Sequence, residues 1–345
     1  MALDDLGGWP GVLRPLLDRK DLSADAAAAA MREILSGAAT TAQISAFIVA
    51  LRMKGETVDE MAGMVRAMLE AAAPLDLGVD AIDIVGTGGA PARRKAALNV
   101  STISCFVAAG AGASVCKHGN RAASSTSGSF DLLEALGLPM DLPAAMVVRC
   151  VREAGVGFAF ARAFHPAMRH AAPVRAEIGV PTVFNVLGPL AHPGHLRRQV
   201  IGVPDPAMAE RMVRVLAATG SVHAMAVSGA GDLDELTTTG ISIVHELRDG
   251  DIRRYEITPE DVGLARATPD QLTGGDANAN RVLAEKVLAG EAGPARDIVL
   301  LNAGAGLVVA GIADDLATGV QLAAASIDSG AAAGALERLL AVAQS

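Results

Sequence analysis

Aromatic residues are scarce: one Trp, one Tyr and seven Phe make up 3% of 345 residues. A core here has to be built from small aliphatic side chains, with closely packed helices. Cysteine is also rare. Cys105, Cys116 and Cys150 are odd in number and show no CxxC spacing, which excludes a disulfide framework and a thiolate metal site. They read as reduced, buried thiols of a cytoplasmic protein. Positive charge is in deficit, with 29 Lys and Arg against 38 Asp and Glu, a net charge of −9. A nucleic acid is therefore excluded as the main partner, although a local basic pocket for a small anion is not. Long apolar runs are missing too. The longest, "IVLLNAGAGLVVAGIA" from Ile298, is Gly-rich, interrupted by Asn302, and shorter than the roughly 20 residues a bilayer requires. It reads as a buried helix, and no membrane partner is expected. The start, "MALDDLGGWP", is acidic where an export signal would be basic, and no apolar run follows it.

What the chain does have is 51% apolar residues and 37 Gly, enough for a folded core. Its length suggests two domains at about 150 residues each. The pattern changes near residue 75. Before that point only helical signals occur. "LSADAAAAAMREIL" begins with a capping Ser23, and Thr40 with Gln43, then Thr57 with Glu60, have the spacing of capping boxes. Ile44, Phe47, Ile48 and Leu51 recur on one helical face.

After residue 75, strand and helix signals alternate. "AIDIV", "SVC", "PTVFNV" and "HAMAVSG" read as strands. "ISCFVAAGAGA" and "FDLLEALG" read as helices, the second ending at Gly137, and "TPDQL" at Thr268 is a further capping box. The alternation predicts an α/β fold: a small all-helical N-terminal domain, residues 1–75, plus a larger α/β domain, residues 76–345, with a mainly parallel central sheet.

Three segments carry candidate chemistry, and each is placed just after a predicted strand, where α/β sheets bind ligands. In "GTGGAPARRKAALNVST", glycines let backbone amides approach an anion, and Asn99, Ser101 and Thr102 open the next helix with free amides and hydroxyls. It is neither a Walker loop nor a dinucleotide fingerprint. Residues 117–129 carry Lys, His, Asn, Arg and five Ser or Thr, a donor density that capping a helix does not explain. In "GAGDLDELT", the adjacent carboxylates Asp234 and Glu235 suit Mg²⁺, which takes one or two carboxylates together with phosphate oxygens and water.

"KHGNRAASS", "FHPAMRHAAPVRAEIGVPTVFNVLGPLAHP", "DLDELT" and "LNAGAGLVVAG", in this order, resemble the anthranilate phosphoribosyltransferases of the tryptophan pathway, whose fold is shared with pyrimidine nucleoside phosphorylases. The resemblance runs nearly the whole length of the chain. It implies transfer of a phosphoribosyl group from phosphoribosyl pyrophosphate to the amine of anthranilate. It also implies a Mg²⁺ cofactor, no covalent nucleophile, a homodimer joined through the helical domain, and a segment near 165–185 returning to that domain. By position, Gly86, Gly89, Asn99, Ser101, Thr102, Lys117, His118, Gly119, Asn120, Arg121, Ala122, Ala123, Ser124, Ser125 and Ser129, with Ala90 and Val100 in the same motifs, match the phosphoribosyl pyrophosphate site. Ser101, Asp234 and Glu235 match its magnesium ligands. Gly86, Asn120 and Arg175 match the anthranilate site, Arg175 suiting a carboxylate through its bidentate fork, and His118 and His165 line the acceptor's path.

One stretch departs from the pattern. Ala90 and Ala97 stand where the family has Asp and Thr, in a loop three residues longer that carries Arg93, Arg94 and Lys95. These three are expected to meet pyrophosphate in compensation. Arg169 stands for the family's Lys and keeps the charge. A pyrimidine nucleoside phosphorylase, a non-catalytic nucleic-acid-binding paralogue and an inactive scaffold are the alternatives. The motifs disfavour the first, the net charge the second, and the retention of Lys117, Arg175, Asp234 and Glu235 the third.

Overall fold

The computed structural model describes residues 1–88, 98–122 and 126–345. The N-terminal unit is α1 (Gly8–Leu17), α2 (Ala24–Ser36), α3 (Thr41–Lys54) and α4 (Val58–Glu70). Ser23 caps α2, and Thr40 with Gln43 and Thr57 with Glu60 form full capping boxes on α3 and α4. Small residues set the packing. Ala27 to Ala30 are buried, and a Cβ on Gly63 would lie 2.0 Å from the Ala24 carbonyl, so α2 and α4 touch backbone to backbone. Buried Glu60 accepts from Leu22 N at 2.9 Å, Thr57 N at 2.8 Å and Lys54 Nζ at 2.9 Å, tying three helices together.

The larger unit is one seven-stranded sheet: β1 (Ile82–Gly86), β2 (Val115–Gly119), β3 (Val156–Phe160), β4 (Arg198–Gly202), β5 (His223–Gly229), β6 (Ser242–Arg248) and β7 (Asp251–Ile257). Its order is β3-β2-β1-β4-β5-β6-β7, parallel from β3 through β5 and antiparallel for β6 and β7. β1 pairs with β4 from Ile82–Arg198 to Gly86–Gly202. The chain reverses its direction of winding between these two strands, so the crevice of the fold opens beyond their carboxyl ends.

The other helices are α5 (Val100–Gly110), α6 (Ser129–Ala135), α7 (Ala144–Arg149), α8 (Ala161–Phe164), α9 (Ala172–Ile178), α10 (Phe184–Leu190), α11 (Pro206–Ala218), α12 (Ala277–Leu288), α13 (Pro294–Ala310), α14 (Leu316–Asp328) and α15 (Ala331–Ala343). Alternate strand residues serve opposite faces. Ile82, Ile84, Val200 and Met225 join one core with α5 and α13 to α15, whereas Val85, Ile201, Ala224 and Ala226 join another that runs through α10 and α11 into α1 to α4. α9 meets α3, and α10 meets α4. The apolar run from Ile298 is α13, buried along most of its length. Among the described residues, no helix is long and apolar enough to cross a membrane.

Two expectations need correction. "PTVFNV" is not a strand. Asn185 Oδ1 caps Thr182 N at 3.0 Å, and Phe184, Leu187 and Leu190 form the buried side of α10. The β-branched residues that suggested a strand are here the entry to a helix whose apolar face is claimed by the second core. β2 also continues through Lys117, His118 and Gly119, so the donor-rich segment begins inside the strand, not after it.

Candidate active site

The carboxylate loop lies directly on the strand ends. After β5, Gly229 and Leu233 exchange backbone hydrogen bonds of 2.9 and 3.1 Å around a tight turn in which Gly231 and Asp232 take positive φ. The chain then crosses β4 and β1. A Cβ on Gly202 would sit 1.7 Å from the Asp234 carbonyl oxygen, and one on Gly86 2.6 Å from Asp234 Oδ2. Glycine at both strand ends is therefore what lets the loop seat. Gly88 N donates to Asp234 Oδ2 at 2.7 Å, and Asn302 of α13 grips the loop's exit, accepting from Leu236 N at 3.1 Å and donating to Leu236 O at 2.8 Å. Asp234 and Glu235 end up only 8% and 9% exposed. Asn302, noted in sequence only as a break in an apolar run, is thus an anchor of the site.

Across from this loop, α5 starts at Asn99. Its side chain belongs to a buried network: Ser127 Oγ donates to Asn99 Oδ1 at 3.0 Å, Asn280 Nδ2 donates to the same oxygen at 2.8 Å, and Asn99 Nδ2 donates to Ser127 O at 3.3 Å. Ser101 is half-buried. Val100 faces the core and its amide turns to Leu98 O, while the Thr102 hydroxyl is buried without a partner among the described residues.

The donor-rich segment divides. Lys117 is 2% exposed, and its Nζ donates to Ile84 O at 2.5 Å, so its charge sits inside the wall between β1 and β2. Gly119 lets Ser129 close in, since a Cβ there would meet Ser129 Oγ at 2.3 Å; that hydroxyl donates to Asn120 O at 3.1 Å. Asp131 holds the loop by accepting from Ala122 N and Gly128 N, both at 2.8 Å. Arg121 pairs with Asp131 at 3.2 Å and Glu134 at 2.8 Å along the outside of α6, not with the cradle. Gly89, Ala90, Ala97, Arg93 to Lys95, and Ala123, Ser124 and Ser125 lie outside the described residues.

On the third side three histidine rings gather. His118 lies 5.2 Å from His165 and 5.7 Å from His192, centroid to centroid. Burial pushes all three below the ordinary histidine range, His192 to about 3. His192 Nε2–H donates to Cys116 O at 2.8 Å, and its Nδ1 accepts from Gly194 N at 3.0 Å. Backbone at Gly188 and Ala191 hydrogen-bonds His118 and His165, leaving the Nε2 of each buried and without a partner among the described residues. Two neutral rings with spare nitrogens suit a polar aromatic ligand. His192 was not singled out from sequence. Arg175 stacks 5.4 Å from the Phe184 ring centroid, makes no ion pair among the described residues, and is drawn below the usual arginine range by burial.

Two family models match this chain: a glycosyl transferase helical bundle domain over residues 10–72 and a glycosyl transferase a/b domain over 78–333. An anthranilate phosphoribosyltransferase of Roseiflexus sp. (strain RS-1) is 52% identical over 324 residues, covering 93% of this chain and 94% of that protein. The chain belongs to the anthranilate phosphoribosyltransferase family. The fold agrees. The crystal structure of the Thermus thermophilus anthranilate phosphoribosyltransferase superimposes with a TM-score of 0.91 at 43% identity, covering 97% of this chain and 99% of that one. The Saccharomyces cerevisiae anthranilate phosphoribosyltransferase, in complex with phosphoribosyl pyrophosphate and Mg, gives 0.87 at 28% identity, covering 97% and 98%.

Proposed function

We propose that this protein transfers the phosphoribosyl group of phosphoribosyl pyrophosphate to the amine of anthranilate, releasing pyrophosphate, within tryptophan biosynthesis in the cytoplasm. The observation that carries this reading is the convergence of three donor sets on one crevice: the α5 start at Asn99 to Thr102, residues 119–122 and 126–129, and Asp234 with Glu235 over the ends of β1 and β4. Helix-start amides and loop hydroxyls suit phosphate oxygens. Lys117 adds positive potential from inside the wall, where little water screens it.

Magnesium fits the donors present. Asp234 and Glu235 offer hard carboxylate oxygens in a nearly buried loop, and Ser101 adds a hydroxyl, few enough that phosphates and water complete the shell. When bound, the ion neutralises charge on the departing pyrophosphate. The protein's own part is alignment. Arg175 takes the anthranilate carboxylate through its fork, while His118 and His165, held neutral, offer acceptor nitrogens along the acceptor's path. Asn120 stands between the two substrates. The amine is neutral near pH 7 and attacks C1 of the ribose directly, so holding both reactants in line supplies most of the acceleration.

A homodimer through the helical domain is part of the same proposal. Leu17 of α1 and Met53 of α3 are 74% and 71% exposed, and Val49 lies one turn before Met53. We place the domain boundary near residue 75, with the segment near 165–185 assigned to the helical side. The deciding experiment follows anthranilate fluorescence with phosphoribosyl pyrophosphate and Mg²⁺, with and without EDTA. Magnesium-dependent loss supports the transferase, and unchanged fluorescence with both substrates bound by calorimetry rejects anthranilate as the acceptor.

A further inference from the structure

We infer that Asn280, far along the chain from every motif of the site, is a positioning residue for phosphoribosyl pyrophosphate that sets the orientation of the Asn99 amide. This rests on the function proposed above. Asn280 lies in the first turn of α12 and is 0% exposed. Its Oδ1 accepts from Gly275 N at 3.0 Å, and its Nδ2 donates to Gly275 O at 3.3 Å and to Asn99 Oδ1 at 2.8 Å.

The direction of this chain is not arbitrary. A backbone N–H can only donate, so Gly275 N fixes which end of the Asn280 amide is oxygen. The Asn280 nitrogen must then face α5, and Asn99 must present its oxygen to α12. That oxygen already takes the Ser127 hydroxyl at 3.0 Å, which fills its two acceptor positions. The Asn99 nitrogen is therefore turned the other way. One of its protons goes to Ser127 O, and the second takes no acceptor among the described residues. A donor at the opening of α5 is thus oriented from a backbone amide about 180 residues away in sequence.

The same turn holds the other wall of the cradle. Thr126 Oγ1 donates to Gly275 O at 2.9 Å, so the turn before α12 braces both the α5 start and the donor-rich loop. The turn is also close-packed, since a Cβ on Gly275 would lie 2.7 Å from the Ala279 Cβ. Packing alone does not call for an amide here. α12 already buries Ala284, Val287 and Leu288, and an apolar residue of Asn280's volume would need no partners.

The test compares Asn280→Leu, which keeps the volume, and Asn280→Asp, which keeps the shape but sets oxygen against Asn99 Oδ1, with the full-length protein at saturating Mg²⁺. Both variants are expected to raise the KM for phosphoribosyl pyrophosphate about tenfold while the KM for anthranilate stays within twofold. Thr126→Val, on the exposed rim, should give a smaller rise of the same kind, about threefold, and serves where the buried variants fail to fold. Equal rises in both KM values, or a lowered melting temperature with both KM values unchanged, would overturn the assignment. If the unmutated protein consumes neither substrate, the functional reading falls and the assignment with it. An active unmutated protein whose variants show no split loses only the role of Asn280.

Discussion

Asp83 and His192 titrate in opposite senses within the same core, and the pH dependence of stability reads their difference. Burial raises the Asp83 carboxyl to about 7, opposed by the nearby Lys117 charge, so the native state holds a proton that the unfolded chain releases near pH 4. The stability Asp83 contributes is present below pH 4 and is lost as pH rises through 7. His192 is the reverse. Its folded value of about 3 lies below the unfolded value near 6.5, so its contribution is full above pH 6.5 and is lost as pH falls toward 3. Between pH 7 and 5 the two slopes oppose each other. Asp83→Asn removes one, and the variant should lose about 2 kcal/mol more stability than the unmutated protein over that interval. Urea unfolding at both pH values checks this, and parallel profiles would refute it. Arg121 teaches a different lesson at this scale. In "KHGNR" it reads as a phosphate cation, yet its charge is spent on Asp131 and Glu134 because α6 turns back beside it.

Among the elements, helix starts were the most legible part, because a cap is a local hydrogen bond within four residues. Ser23, Thr40 and Thr57 each cap as read. At Thr268 the Gln271 side chain accepts from the Thr268 amide at 2.8 Å and from its hydroxyl at 3.2 Å, and the helix opened there is a single 3-10 turn, Pro269–Leu272. Strands were read poorly. β3 and β4 were not anticipated, since a five-residue strand buried on nearly every position lacks the alternation that identifies one, and neither were the seven-residue β6 and β7. Two predictions belong here. Glu60→Ala leaves two buried backbone amides without their acceptor, while Lys54 keeps Asp21 and Gly55 O, and should cost about 2 kcal/mol or more in urea unfolding. A loss under 1 kcal/mol would show that the three-helix tie is idle. Gly202→Ala must displace the carboxylate loop, and kcat/KM should fall about 100-fold with a raised Mg²⁺ requirement. Unaltered magnesium dependence would show that the loop does not hold the ion.

For the molecule as a whole, the sheet order matters most. Placing β4 beside β1 brings Gly86 to Gly88, the α5 start and the carboxylate loop to one crevice, although residues 86 and 234 are far apart in the chain. Among the exposed large apolar residues, Leu17, Val49 and Met53 lie on α1 and α3, and Leu17 and Met53 are the most exposed of those three. Met53→Glu tests the proposed dimer: it should lower the sedimentation coefficient from a dimer's to a monomer's, and a dimer's coefficient in the variant would exclude this face as the contact.

The sequence by itself determined what depends on neighbours in the chain: helix starts, glycine turns, the α/β class, and the residue types a phosphate and a divalent cation require. Only the tertiary structure decided which of those residues face the crevice. It withdrew Lys117 into the wall, turned Arg121 outward, made a helix of "FNVLGPL", and recruited His192, Asn280 and Asn302. The physical reason is that hydrogen bonds and ion pairs form between whatever the fold brings within about 3 Å, and chain separation carries no information about that.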